Sequence, residues 1–289
     1  MSEIPLVLGP ARHLVGTLSD PGNGGGTCAI ILSAGLLQRS GPHRLHVELA
    51  RALAAAGIAA LRYDASGLGD SAPRPDAMPL IEVAHHEPRE VMDDLAARFG
   101  FGRFLLLGIC SGAYCAFKTA ARDPRVVGAA LINPQDFVGD ADWEPAVQAR
   151  RYLTSSVLRP RAWLNLITGR VDYRRLVGTL AGQVGRRLRG RPSPVVDLVA
   201  GIRAELATLR ERGQRVLVVL ADRDASVDHC AALFGRLPEN PAAQVRQVRL
   251  PDSDHLFTRR ADQAALIALL VAWASAGSII PADREEFAL

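Results

Sequence analysis

The sequence predicts an α/β protein: a mostly parallel eight-stranded sheet flanked by helices, with a helical insertion after the sixth strand. Three observations carry that expectation. Short apolar runs alternate with amphipathic helical stretches, as strands and helices do around a parallel sheet. One such run, Phe104 to Leu107, passes through Gly108-Ile109-Cys110-Ser111-Gly112 into a helical pattern from Ala113 to about Ala121. The alternation then stops over Gly139 to Arg203, where arginine dominates, and resumes at Arg215.

In chain order, Leu6 to Val15 and Gly16 to Leu18 read as two short strands before the turn-rich Ser19 to Gly26. Cys28 to Leu32 is a buried strand ending at Ser33-Ala34-Gly35. The loop Leu36 to Arg44 leads into a helix over Leu45 to Ala56, which Gly57 stops. Ile58 to Tyr63 is the next strand, followed by the loop Asp64 to Ser71. A helix carrying Asp93 and Asp94 precedes the Phe104–Leu107 strand, and Val126 to Ile132 is the sixth strand, ending at Asn133-Pro134-Gln135. Beyond it, Trp143, Tyr152, Trp163, Ile167 and Tyr173 fall at helical intervals broken by prolines, which predicts a helical lid. Arg215 to Leu220 and Gln244 to Leu250 are the last strands, and an amphipathic helix over Ala261 to Ala274 closes the fold. The expected organisation is a core in two parts, residues 1–138 and 206–289, around an arginine-rich lid over 139–205.

Composition narrows the function classes. A hydrophobic content of 48% with a mean hydropathy of +0.10 describes a well-buried globular chain, neither disordered nor membrane-embedded. The four cysteines, Cys28, Cys110, Cys115 and Cys230, form no CxxC pair and no metal-ligand spacing, so free thiols and a reducing compartment are expected. The N-terminus shows no basic region followed by an apolar core. The uncharged run Gln263 to Pro281 is broken by Ser275, Gly277 and Ser278, which fits a buried helix better than a membrane span. A cytoplasmic protein without metal or cofactor is the expectation. Lys118 is the only lysine, and Gly139 to Glu205 holds 12 arginines against 6 acids, an excess larger than the net charge of +4 for the whole chain. With no nucleic-acid motif beside it, that charge fits a solvated face or a landing site for phosphates or an acidic partner.

The chemistry centres on Cys110. A turn tight enough to expose a nucleophile between strand and helix leaves room only for glycine-sized residues two positions either side. Gly108 and Gly112 stand at those positions around Cys110. The competing reading takes Ser111 as the nucleophile, with Ile109 and Ala113 as its less fitting flanks. A nucleophile needs a base, and the base an orienting acid. His255, in Pro251-Asp-Ser-Asp-His255 after the last strand, supplies the base. Asp224 is the acid favoured by its spacing from the strand end and by the downstream Val227, with Asp222 as competitor. Backbone amides of Ser111 and of the loop after Cys28–Leu32, at Leu36 beyond Gly35, are the expected oxyanion donors. His43 and Arg44 near that loop, and Trp143 and Trp163 of the lid, are candidate substrate contacts.

These residues carry a resemblance to the α/β-hydrolase superfamily that covers nearly the whole chain. Gly67-Leu-Gly-Asp-Ser71 after Leu61-Arg-Tyr-Asp64 resembles the loop these enzymes carry after the strand before the elbow strand. Gly41-Pro-His-Arg44 and Ala50-Arg-Ala-Leu-Ala-Ala-Ala-Gly57 are similar to serine-aminopeptidase-like hydrolases, including those of exosortase loci. The resemblance implies the α/β-hydrolase fold and the chain order nucleophile, acid, histidine, which Cys110, Asp224 and His255 follow. The departure is cysteine where most members have serine. Cys110 then resembles the Gly-x-Cys-x-Gly elbows of dienelactone hydrolases and polyhydroxyalkanoate synthases, which handle activated lactones or CoA thioesters. The implied activity is acyl transfer from an activated (thio)ester, with an acyl carrier protein or CoA as a possible donor. A carboxylesterase or lactone hydrolase and a non-catalytic binding protein are the alternatives. Cys28, Cys115 and Cys230 read as packing residues. His85-His86-Glu87 reads as a solvated loop, because adjacent side chains of an extended segment point opposite ways.

Overall fold

The computed structural model describes residues 1–22, 26–76, 78–135 and 194–276. Its eight strands are β1 (Ser2–Leu8), β2 (Leu14–Asp20), β3 (Gly26–Leu32), β4 (Ala59–Tyr63), β5 (Phe101–Ile109), β6 (Val126–Ile132), β7 (Arg215–Ala221) and β8 (Val245–Leu250). They form one sheet in the order β1-β2-β4-β3-β5-β6-β7-β8. Only β1–β2 and β2–β4 pair antiparallel; every other neighbour is parallel. The described helices are α1 (Leu45–Ala55), α2 (Leu80–Phe99), α3 (Ser111–Arg122), α4 (Pro194–Glu211), α5 (Ser226–Phe234) and α6 (Arg260–Ala276).

Strand β5 lies in the middle of the sheet, and its near-continuous apolar run follows from being covered on both faces. Leu105, Leu107 and Ile109 point to the face lined by α1 and α6, where they join Leu45, Leu49 and Trp273. The alternate positions face the side on which α3 packs against β5 and β6. Burying a leucine such as Leu105 or Leu107 stabilises by about 1.5–3 kcal/mol, so the strand is pinned in register on both sides. That register is what delivers residue 110 to the C-terminal end of the parallel strands.

Several sequence expectations shift. The first two strands meet as a hairpin with its turn at Gly9–His13, where Gly9 and Arg12 have φ of 80° and 53°. His85, His86 and Glu87 lie in helix α2 and not in a solvated loop. Glu87, Val91 and Leu95 recur every four residues as one buried face, and that burial carries the helix through Pro88. Helix α5 was not anticipated. The chain divides into two compact units, the first of which holds every described strand and every residue of the site described below. The expected lid, with Trp143, Trp163 and most of its arginines, lies outside the described residues. Among the described residues no helix is long and apolar enough to cross a membrane.

Candidate active site

Residue 110 is where β5 ends and α3 begins, and its backbone is left-handed, with φ 55° and ψ −119°. A non-glycine residue held there costs about 1–3 kcal/mol and persists only where the surroundings over-determine it. Here Cys110 N–H donates to the Ile132 carbonyl at 2.9 Å, and Ala113 N–H donates to the Cys110 carbonyl at 3.0 Å. A Cβ on Gly108 would collide with the Gly112 carbonyl, and one on Gly112 with the Leu32 carbonyl. The flanking glycines are thus required by backbone against backbone. The Cys110 side chain is half-buried, and its influence is one of those that raise His255. Ser111 opens α3, and its Oγ turns to the loop after β3, accepting from Gly35 N–H at 2.7 Å.

His255 and Asp224 come from the loops after β8 and β7. His255 Nδ1 and Asp224 Oδ2 are 2.7 Å apart. The other carboxylate oxygen, Oδ1, accepts from Ser226 N–H at 2.7 Å and from Gln135 Nε2 at 3.2 Å. Burial alone would raise the Asp224 carboxyl, but the hydrogen bonds from His255 and Ser226 outweigh it and hold it down at about 2. The bond to Asp224, and then the influence of Cys110, push His255 up to about 10 against the opposing effect of burial. Asp222, the competing acid, is exposed, and its amide donates to the Leu250 carbonyl. Three groups the sequence had not singled out complete this side. Asn133, fully buried with φ 43°, donates to the His255 carbonyl at 2.9 Å and accepts from Ala221 N–H at 2.7 Å. Gln135 also lies 3.4 Å from His255 Nδ1. Phe257, buried with φ 53°, anchors the histidine loop in the core.

The expected oxyanion donors stand on the Cys110 side. Neither Leu36 N–H nor Ser111 N–H has a hydrogen-bond partner among the described residues, and Ser111 N–H is among the orphan amides that start a helix. The Leu36 side chain is 86% exposed. Three residues on, the buried Asp64 accepts from Arg39 N–H at 2.5 Å and pairs with its guanidinium. Gly69 must lack a Cβ because one would strike that carboxylate. His46 is buried next to Ser33 at 3.4 Å, and burial, aided by Arg62, lowers it to about 4. His43 and Arg44 are exposed in the short 3-10 turn before α1 and have no hydrogen bond to Cys110, His255 or Asp224 among the described residues.

The remaining thiols stay apart from this chemistry. Burial pushes Cys28 and Cys230 up strongly and Cys115 to about 12. Glu87, also raised by burial, accepts from Ser66 N–H at 3.1 Å. No group of histidine, cysteine and acidic side chains among the described residues could hold a metal ion.

Comparison with known proteins places this site in context. Residues 25–268 match the model of the Alpha/beta hydrolase family. A dienelactone hydrolase from Anabaena variabilis shares the fold with a TM-score of 0.57 at 15% identity, over 94% of this chain and 96% of that one. An esterase from Pyrococcus furiosus gives 0.58 at 13% identity, over 95% and 90%. A Xanthomonas campestris protein described as an a/b serine hydrolase without lid gives 0.54 at 20% identity, over 96% and 95%. The search of curated proteins found no match.

Proposed function

This chain belongs to the alpha/beta hydrolase family, and from that premise we propose that it transfers acyl groups through a covalent acyl-Cys110 intermediate. The observation that carries this reading is Cys110 on the strained turn between Gly108 and Gly112, with His255 held by Asp224, while the Ser111 hydroxyl is engaged by Gly35. In acylation, the neutral form of His255 takes the thiol proton and the sulfur adds to the acyl carbonyl. The Ser111 and Leu36 amides receive the oxyanion, and His255 returns the proton to the departing group. In deacylation, His255 takes a proton from water or another acceptor, which attacks the thioester; the tetrahedral adduct collapses and the proton goes to Cys110 sulfur. Asp224 holds the imidazole with Nδ1 as donor, and its charge favours the imidazolium that forms in each half-reaction.

A thiol nucleophile suits activated acyl donors, so thioesters are the substrates proposed first. Carrier-bound or CoA-bound donors are included because the arginine excess over Gly139 to Glu205 complements phosphate and acidic surfaces. A free ester or lactone is the second reading, favoured by the fold neighbours described as an esterase and a dienelactone hydrolase. The test compares wild type, Cys110→Ala and Cys110→Ser on p-nitrophenyl butyrate and on the butyryl thioester of N-acetylcysteamine. Cys110→Ala is expected to fall to background on both, and Cys110→Ser to lose more on the thioester than on the ester. Cys110→Ala turning over at half the wild-type rate would refute the acyl-cysteine.

A further inference from the structure

We infer that Ser111 is a positioning residue for this chemistry: its hydroxyl ties the oxyanion loop to the nucleophile's own helix and so speeds acylation without attacking substrate. The inference rests on the reading of Cys110 as the nucleophile. The bond from Gly35 N–H to Ser111 Oγ, 2.7 Å long, joins residues 76 apart in sequence. One of its ends is the neighbour of Cys110; the other is the neighbour of Leu36, the expected second oxyanion donor. This hydrogen bond therefore links the two segments whose amides must converge on one oxygen.

The loop has few other restraints at that point. Leu36 projects into solvent, and Gly35 has φ 46°, a left-handed geometry in which glycine meets no Cβ penalty. The neighbouring fixed points lie on either side: Ala34, just before Gly35, is buried in the core. Leu37 packs against the core and closes a turn by donating from its amide to Ala34 at 2.9 Å, and Arg39 is held by Asp64. Between β3 and Leu37, the Ser111 hydroxyl is the side chain from outside the loop that grips its backbone among the described residues. The Ser111 hydroxyl is engaged by Gly35 and has no hydrogen bond to His255 among the described residues, so the serine has the place of a strut and not of a nucleophile.

An oxyanion donor removed outright slows catalysis about 10²–10³-fold, and a shift of about 1 Å can cost about 10²-fold. Ser111→Ala keeps both donor amides and frees only the loop, so a loss of about 10- to 100-fold is expected.

Two reactions of the same thiol isolate this role. Alkylation by iodoacetamide forms a carbon–sulfur bond as iodide leaves, with the thiol proton passing to His255, and no carbonyl oxyanion develops. Acylation by p-nitrophenyl acetate forms the thioester through an oxyanion as p-nitrophenolate leaves. In Ser111→Ala the acylation burst is expected to slow about 10- to 100-fold with KM within about threefold, while alkylation stays within about twofold because no oxyanion forms. Ser111→Thr, which keeps the hydroxyl, is expected to recover most of the burst rate. An unchanged burst in Ser111→Ala, no recovery with threonine, or alkylation falling in parallel with acylation would overturn the inference and leave the acyl-cysteine standing. An acetyl group retained by Cys110→Ala and lost from Ser111→Ala, or no acetyl adduct on wild type, would instead refute the nucleophile assignment on which the inference rests.

Discussion

At the Cys110 turn, main chain holds main chain. The left-handed turn is fixed by hydrogen bonds to the Ile132 carbonyl and from Ala113, and it closes only because Gly108 and Gly112 have no side chains. On the His255 side, side chains hold the geometry. Asp224 orients the imidazole, Gln135 and Ser226 orient Asp224, and Asn133 bridges the end of β7 to the histidine backbone. The first side tolerates no added atom at two positions; the second tolerates no lost donor or acceptor.

Gly112→Val breaks the backbone-held side. Its Cβ would meet the Leu32 carbonyl of the central sheet, which cannot swing aside as a side chain could. A loss of roughly 3–5 kcal/mol in urea unfolding, or failure to fold, is expected. A change below about 1 kcal/mol would show that the turn relaxes and that the glycine spacing is not what holds Cys110.

Asn133→Ala breaks the other side by subtraction. It leaves the buried Ala221 N–H and the His255 carbonyl without their partners, at about 1–3 kcal/mol for each group left unsatisfied. Asn133→Asp keeps the acceptor for Ala221 but loses the donor to His255, so acylation should suffer more than that single contact's loss in stability. Equal unfolding midpoints for wild type and Asn133→Ala would mean the bridge is dispensable.

The smallest effect expected is a pH dependence that separates the two sides. His255 is raised to about 10 in the folded protein from 6.5, so its pairing with Asp224 stabilises fully below about 6.5 and is lost as pH climbs towards 10. Asp224 is lowered to about 2 from 3.8, so its share is present above 3.8 and lost as pH falls towards 2. Urea midpoints of wild type and His255→Gln should therefore differ most near pH 5–6 and converge towards pH 10. A difference that grows between pH 7 and 10 would have the wrong sign for this pairing.

The contrast also explains what the sequence made visible. Strand ends, the Gly108–Gly112 spacing and the loops bearing Asp224 and His255 are local patterns, and the observed β6, β7 and β8 lie within a residue of their expected bounds, while β5 extends beyond its apolar run to Phe101–Ile109. Asn133 and Gln135 sat in a recognised strand end, but their partners are 88 to 122 residues away, where no local pattern reaches. Ser111 carried a visible ambiguity with Cys110; its bond to Gly35 depends on how β3 and β5 pair, which spacing alone does not give. Glu87 reads as part of an extended, solvated loop when only its polar neighbours His85 and His86 are considered, whereas a buried face spanning Glu87 to Leu95 makes the segment helical.

The most direct test of the central claim traps the covalent intermediate on wild-type protein. After acid quench during turnover of p-nitrophenyl acetate, trypsin should release the segment between Arg103 and Lys118, which contains Cys110, Ser111 and Cys115. Fragmentation mass spectrometry is expected to place the acetyl group on Cys110, and neutral hydroxylamine to remove it as a thioester. An acetyl group on Ser111 that survives hydroxylamine as an oxyester would contradict the account.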